Sequence, residues 1–305
     1  MSENQTTLRE ALNEAAIEGI LQELRLEEKK VDDKLAITGE IDIRINENSV
    51  HTVNVFSYKL TQEGKESGIF KSLNTVKNEY KSIASYNEEE ADRVSITAGK
   101  LGVNEYFVQE ELKTYPQLST NFINRLKPND EFKPRAKFEA EVYIKSVKDE
   151  MKNDEETGRI LVDTYIPLYK GKIIPFRFIV ADPHAVEYVR NNYESGTTAF
   201  VYGDIINEVH VNTKKIEGGF GKPQEKIKRT TVREYVITGG STPYDEDDAK
   251  AYKKEVIKKA LTEREIYLEE KKNKKEAPKV QKKGFDTKGS SATKKTVISD
   301  DDLPF

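Results

Sequence analysis

Cysteine and tryptophan are both absent from the 305 residues. Without cysteine there are no disulfides and no thiolate metal sites, which fits a reducing, cytoplasmic setting. Histidine is nearly absent too. His51, His184 and His210 stand far apart, with no spacing that suits a metal. No apolar run approaches the roughly 20 residues of a membrane span, and "MSENQTTLRE" has no signal-peptide core. Nucleophile-elbow and dinucleotide motifs are missing. "GGFGKP" is not a phosphate loop, because Ile216 stands where the first glycine should be and Pro223 follows the lysine. Clustered acids such as Glu88–Glu90 read as solvated charge. These absences point away from an enzyme, a metal or cofactor protein and a membrane protein.

Charge is abundant, at 34% of residues against 36% hydrophobic, and the net value is −4. The total hides an uneven distribution. Residues 245–305 hold 16 basic and 14 acidic residues, so the preceding 244 carry −6. Within that acidic body, Lys214 to Arg229 contains six basic and two acidic residues. A local basic strip of this kind matters more for nucleic-acid binding than the total does.

Periodicity divides the chain. In residues 7–30, Leu8, Leu12, Ala16, Ile20 and Leu24 recur every four residues, with Ile17 and Leu21 alongside. That spacing predicts an amphipathic helix within an N-terminal unit, 1–33, docked on the body or on a second copy. "KLAITGEIDIRI" (34–45) and "VHTVNVFSYKL" (50–60) alternate as strands. A helix over 71–86 and two short strands around Gly99, in 93–108, complete a first module, 34–129.

A second module, 130–244, repeats the order. Strands are expected at 136–147, 159–169 and 172–181, then a helix at 183–193, a strand pair around Gly203 in 198–212 and a closing strand at 231–240. "VSITAGKLGVNEYFV" aligns with "AFVYGDIINEVHVN" through Gly99 and Gly203 and a shared Asn-Glu. Self-similarity in fixed order indicates a duplicated module. Three strands, a helix and two strands is the order of a five-stranded OB barrel. A charged helix is expected over 245–275, with Asp245–Asp248 at its N-terminal end, then a disordered Lys/Gly/Ser/Thr-rich tether over 276–299. The fold class expected is mainly β: two tandem OB-type barrels, an N-terminal helix and a disordered C-terminal tail.

The sequence finishes on Asp300, Asp301, Asp302, Leu303, Pro304 and Phe305. This tip resembles that of bacterial and phage single-stranded DNA-binding proteins, which join an OB domain to a polar linker and a terminal Asp-Asp-Asp-(Ile/Leu)-Pro-Phe. "AVEYVRNNY" leading into "SGTTAFVYGDI", and "REYVITGGSTPY" after it, are similar to that family's helix and last strands. Two modules per chain, a Lys-rich tether and the lack of tryptophan depart from the short bacterial form and look more like a phage version. They favour a monomer or dimer over a tetramer.

The resemblance implies a protein that coats single-stranded DNA during replication, recombination or repair. The tip would recruit partner enzymes, with Phe305 in a greasy pocket, its α-carboxylate on an arginine and the aspartates on a basic rim. It would also compete with DNA for the basic groove. Single strands need cations for the phosphates and flat side chains for the bases. Tyr165 and Tyr169 are stacking candidates, unless they are ordinary half-buried strand residues. Arg159, Lys170, Lys172 and Arg177 are backbone contacts. The segment 212–231 reads as a clamping loop, or else a plain solvated hairpin, with Lys214, Lys215, Lys222, Lys226, Lys228 and Arg229 for charge and Phe220 for stacking. Two other functions fit the same features: a recombination mediator that anneals strands, and an adaptor whose barrels hold protein.

Overall fold

Short two-residue turns set the strand pairing of the chain. Asp32-Asp33, Gln109-Glu110 and Asn153-Asp154 all have positive φ at both residues. This is the geometry whose twist matches paired strands. In the computed structural model, which describes residues 8–216 and 224–276, these turns join β1 (Asn13–Val31) to β2 (Lys34–Asn46), β4 (Arg93–Val108) to β5 (Glu111–Ser119), and β7 (Arg135–Lys152) to β8 (Glu155–Pro167). The other strands are β3 (Ser49–Tyr58), β6 (Asn124–Arg125), β9 (Ile173–Val180), β10 (Thr198–Ile216) and β11 (Gln224–Gly240). Among the described residues there are three α-helices, α1 (Gly68–Glu79), α2 (Pro183–Asn192) and α3 (Lys254–Glu276). The fold is mainly β. Among the described residues no helix is long and apolar enough to cross a membrane.

The strands pair in two equivalent circuits. In the first, β1 pairs β2, β2 pairs β3, β3 pairs β5 in parallel, β5 pairs β4, and β4 returns to β1. In the second, β7, β8, β9, β11 and β10 pair in the same order, β9 with β11 in parallel, and β10 returns to β7. A helix separates the third and fourth strands each time. Ser67 caps α1 by accepting from Phe70 N, and Asp182 caps α2 by accepting from His184 N and Ala185 N ahead of Pro183.

The circuits meet where β1 and β7 run antiparallel, Asn13 opposite Ala140 and Glu18 opposite Arg135. Gly99, Ala15, Phe138 and Gly203 form one row across β4, β1, β7 and β10. Both glycines permit close approach of crossing backbone. A Cβ on Gly99 would lie 2.7 Å from the Ala15 carbonyl oxygen, and one on Gly203 would lie 1.9 Å from that of Val236. One continuous core joins the circuits. Phe138 packs on Phe178 and Phe176 on Tyr235, with centroids 4.9 and 4.8 Å apart.

Several expectations change. Where the helix was expected over residues 7–30, the chain runs without regular structure over 8–12 and then forms strand β1, the first strand of the first circuit. The paired short strands expected around Gly99 and Gly203 are single continuous strands, β4 and β10. The segment 212–231, for which a clamping loop and a plain hairpin both stood open, is mostly hairpin ladder, since β10 runs to Ile216 and β11 starts at Gln224. The helix expected from 245 begins at Lys254, so Asp245–Asp248 lie in the turns before it. The rest of the tether and the tip lie outside the described residues.

Candidate functional site

Alternation along β8 turns Ile160, Val162, Thr164 and Ile166 inward. Arg159, Asp163 and Tyr165 therefore share the outer face. On neighbouring β9, Phe176 and Phe178 are buried and Arg177 points outward. Register then builds a patch. Asp163 pairs with Arg177, and Tyr165 lies between Tyr143 of β7 and Pro175 of β9. Lys145 Nζ stands 5.6 Å from the Tyr165 ring centroid, within cation–π range.

The cations of this patch are partly engaged. Arg177 Nε donates to Asp163 Oδ1 at 2.7 Å. Burial pushes the Asp163 carboxyl up, but the hydrogen bond and charge of Arg177, with Lys148 and Lys145 adding to them, bring it below the usual carboxylate range. Arg177 is raised, first by its hydrogen bond to Asp163. Arg159 is drawn further inward. Its Nε lies 3.3 Å from Glu150 and its Nη2 2.8 Å from Glu234, as charge pairs without aligned hydrogen bonds. A guanidinium between two carboxylates has little charge left for a phosphate.

Tyr169 does not continue the Tyr165 face, because β8 ends at Pro167. It opens a 3₁₀ turn in which Lys170 takes a left-handed φ of 60° and stands over the Tyr169 ring. Tyr169 and Lys170 line a cavity of about 440 Å³ against Val256, Lys259 and Ala260 at the start of α3. Lys172 is exposed just beyond. Lys228 and Arg229 are exposed on β11, opposite Asn212 and Val211. Register sets Lys214 opposite Lys226 and Lys215 opposite Glu225. Phe220 and Lys222 lie outside the described residues, as do Asp300 to Phe305. The expected contacts therefore fall into three groups: Tyr165 with Arg177, the turn at α3, and the β10–β11 hairpin.

The first circuit exposes aromatics that were not singled out in the sequence. Phe56, Tyr115 and Phe122 are 41%, 51% and 51% exposed. Phe56 occupies the polar phase of β3, beside Thr52 and Asn54, and Phe122, next to the buried Ile123, is the one aromatic of an Asn/Ser/Thr-rich stretch. An aromatic where alternation calls for a polar residue was the available signal. The two circuits also meet at a cleft of about 620 Å³ lined by Asn54, Asn104, Tyr115, Asn207 and Arg233. Asn207 donates to the Val50 carbonyl at 2.5 Å and accepts from Arg233 Nε at 3.3 Å. Among the described residues no three His, Asp or Glu side chains gather to hold a metal.

A family model described as YorF matches residues 11–274. None of the curated proteins compared with the chain matches it. Solved structures similar to the chain include two of one protein. One is the wild-type single-stranded DNA binding protein from Thermus aquaticus, with a TM-score of 0.48 and 10% identity, covering 79% of this chain and 97% of that one. The other is a deletion mutant of that protein, with a TM-score of 0.44 and 11% identity, covering 79% and 99%.

Proposed function

As a member of the YorF family that joins two five-strand circuits of one order, the chain is, we propose, a non-enzymatic protein that binds single-stranded DNA without sequence preference. Each circuit is read as an OB-type barrel. The support is its strand order: the third strand runs parallel to the fifth, the fourth returns to the first, and a helix sits between the third and fourth. The observation that carries the reading is the placing of Tyr165 and Arg177 on the outer face of β8 and β9, the second and third strands of their circuit. OB proteins hold oligonucleotides on that face, with the loop between strands four and five closing over them. Tyr165 offers a stacking face, Lys145 and Arg177 offer charge, and the β10–β11 hairpin carries Lys228 and Arg229 to the same phosphate chain.

The role proposed is to coat and protect exposed strands in replication, recombination or repair. Asp300–Asp302 and Phe305 would recruit partner proteins, the acids meeting a basic rim and the ring an apolar pocket. This part rests on the sequence of the tip. Nuclease protection tests the central reading. Stoichiometric protein should shield a single strand from a single-strand-specific nuclease and leave a duplex open to a duplex-cutting one. Equal cleavage of the single strand with and without protein would overturn it.

A further inference from the structure

Two aromatic rings of the first circuit stand about half in solvent on well-bonded backbone, and this calls for a reason. Phe56 points outward between the buried Val55 and Ser57. Phe122 is pinned through its backbone. Thr120, itself 4% exposed, donates its hydroxyl to the Phe122 carbonyl at 3.1 Å and accepts from Phe122 N at 3.2 Å. Thr120 N donates to Asn54 O at 2.9 Å, and the Tyr80 hydroxyl donates to the carbonyl of buried Ile123 at 3.1 Å. A ring exposed by chance on a loose loop would have no such scaffold.

Both rings line a cavity of about 570 Å³ together with Thr38, Lys100, Gln117 and Asn121. The volume is that of a small-ligand pocket. Lys100 is the charged residue of its lining, and the remaining polar groups are amides and hydroxyls. Exposed Ala98 leaves its mouth open.

We propose that this cavity is a nucleobase pocket, in which an unpaired base stacks on Phe56 and Phe122, turns its edge to Gln117 and Asn121, and leaves its phosphate to Lys100. The inference rests on the single-strand reading above and gives the first circuit a site of its own. Aromatic faces and amide edges in one cavity match an occupant that is flat, apolar in its plane and polar at its rim. An aliphatic side chain would offer the half-buried Gln117 amide no partner, at a cost, while the Asn121 amide nitrogen already donates to the Phe56 carbonyl at 3.1 Å and so braces the Phe56 backbone. Asn54 and Gln117 also line the cleft between the circuits. The groove therefore continues over the β3–β5 seam, where two residue pairs, Val53–Leu118 and Asn54–Ser119, hold the circuit closed. A strand leaving the pocket is led toward Tyr115, Asn207 and Arg233.

The test compares the full chain with Phe56→Ala/Phe122→Ala by anisotropy of a labelled single-stranded oligonucleotide over a range of salt. Loss of stacking should weaken binding about tenfold or more. The slope of log affinity against log salt should not change, since no phosphate contact is lost. Phe56→Trp should keep the affinity. Photocrosslinking of a halouracil oligonucleotide to the unaltered chain gives a second readout that does not depend on folding of the variants, and adducts are expected at Phe56 or Phe122. Wild-type affinity in the double variant, or adducts confined to the second circuit, would overturn the pocket and leave the single-strand reading standing. A wild-type chain that binds no single strand would overturn both.

Discussion

Asn13 closes the first circuit by acting as a peptide group toward Leu101. Its Nδ2 donates to the Leu101 carbonyl at 2.9 Å, and its Oδ1 accepts from Leu101 N at 3.0 Å. The side chain is 3% exposed and lies just before the β1–β4 pairing, which begins at Ala15 and Gly99. Asn13→Ala should leave two backbone groups buried and unpaired, and cost about 3 kcal/mol. Urea denaturation would measure it. A loss under ~0.5 kcal/mol would show that water replaces the amide.

His51 gives stability a pH dependence. It is 2% exposed, with Nε2 3.2 Å from Ser49 Oγ, and burial brings its pKa down to about 4 from 6.5. Between those values the unfolded chain takes up a proton that the folded chain refuses. The stability due to His51 is therefore present above about pH 6.5 and lost progressively toward pH 4. The loss is on the order of 3 kcal/mol. Urea midpoints of wild type and His51→Gln should converge as pH falls through that window. Parallel midpoints would contradict the assignment.

Asp163 restrains Arg177. Asp163→Asn should release the guanidinium, raise single-strand affinity several-fold and steepen the salt slope by about one unit, as for one added phosphate contact. Weaker binding in this variant would mean that Asp163 serves to position Arg177.

Arg264 of α3 donates to Glu105 of β4, and Lys271 Nζ donates to the Glu105 carbonyl at 2.5 Å. The helix so ties the β4–β5 hairpin of the first circuit to the second, where Ile257 and Ala260 are buried. Arg264→Ala leaves the Glu105 carboxylate, whose exposure is 13%, with the Thr114 hydroxyl but no cation beside it. It should cost about 2 kcal/mol and speed hydrogen exchange in 105–112 ahead of β8 and β9. Uniform exchange would argue against a local tie.

The strand order of the second module was legible because its inward positions are β-branched or aromatic, as in Val162, Ile166 and Phe178. The N-terminal strand was not. Every odd position from Ala11 to Leu21 is buried, but four of the six, Ala11, Asn13, Ala15 and Gly19, are small or polar, and Glu18 is buried on the opposite phase. Leu12 and Ile20, on the opposite phase, complete a false helical stripe. Tertiary pairing with β4, β7 and β2 overrides that local preference. Among the candidate contacts, the outward placing of Tyr165 and Arg177 followed from alternation alone. The carboxylates that hold Arg159 come from Glu150 and Glu234, distant in sequence, and no local pattern reveals them. Lysines at 214, 215, 226 and 228 suggested a loop, although the ladder continues through them.

The most direct measurement is an anisotropy titration of a labelled oligonucleotide, single-stranded and duplex, at two salt concentrations. Tight binding of the single strand, weakened by salt, with little binding of the duplex, is the expected result. Equal affinity for both forms, or no binding of the single strand at low salt, would contradict the function proposed.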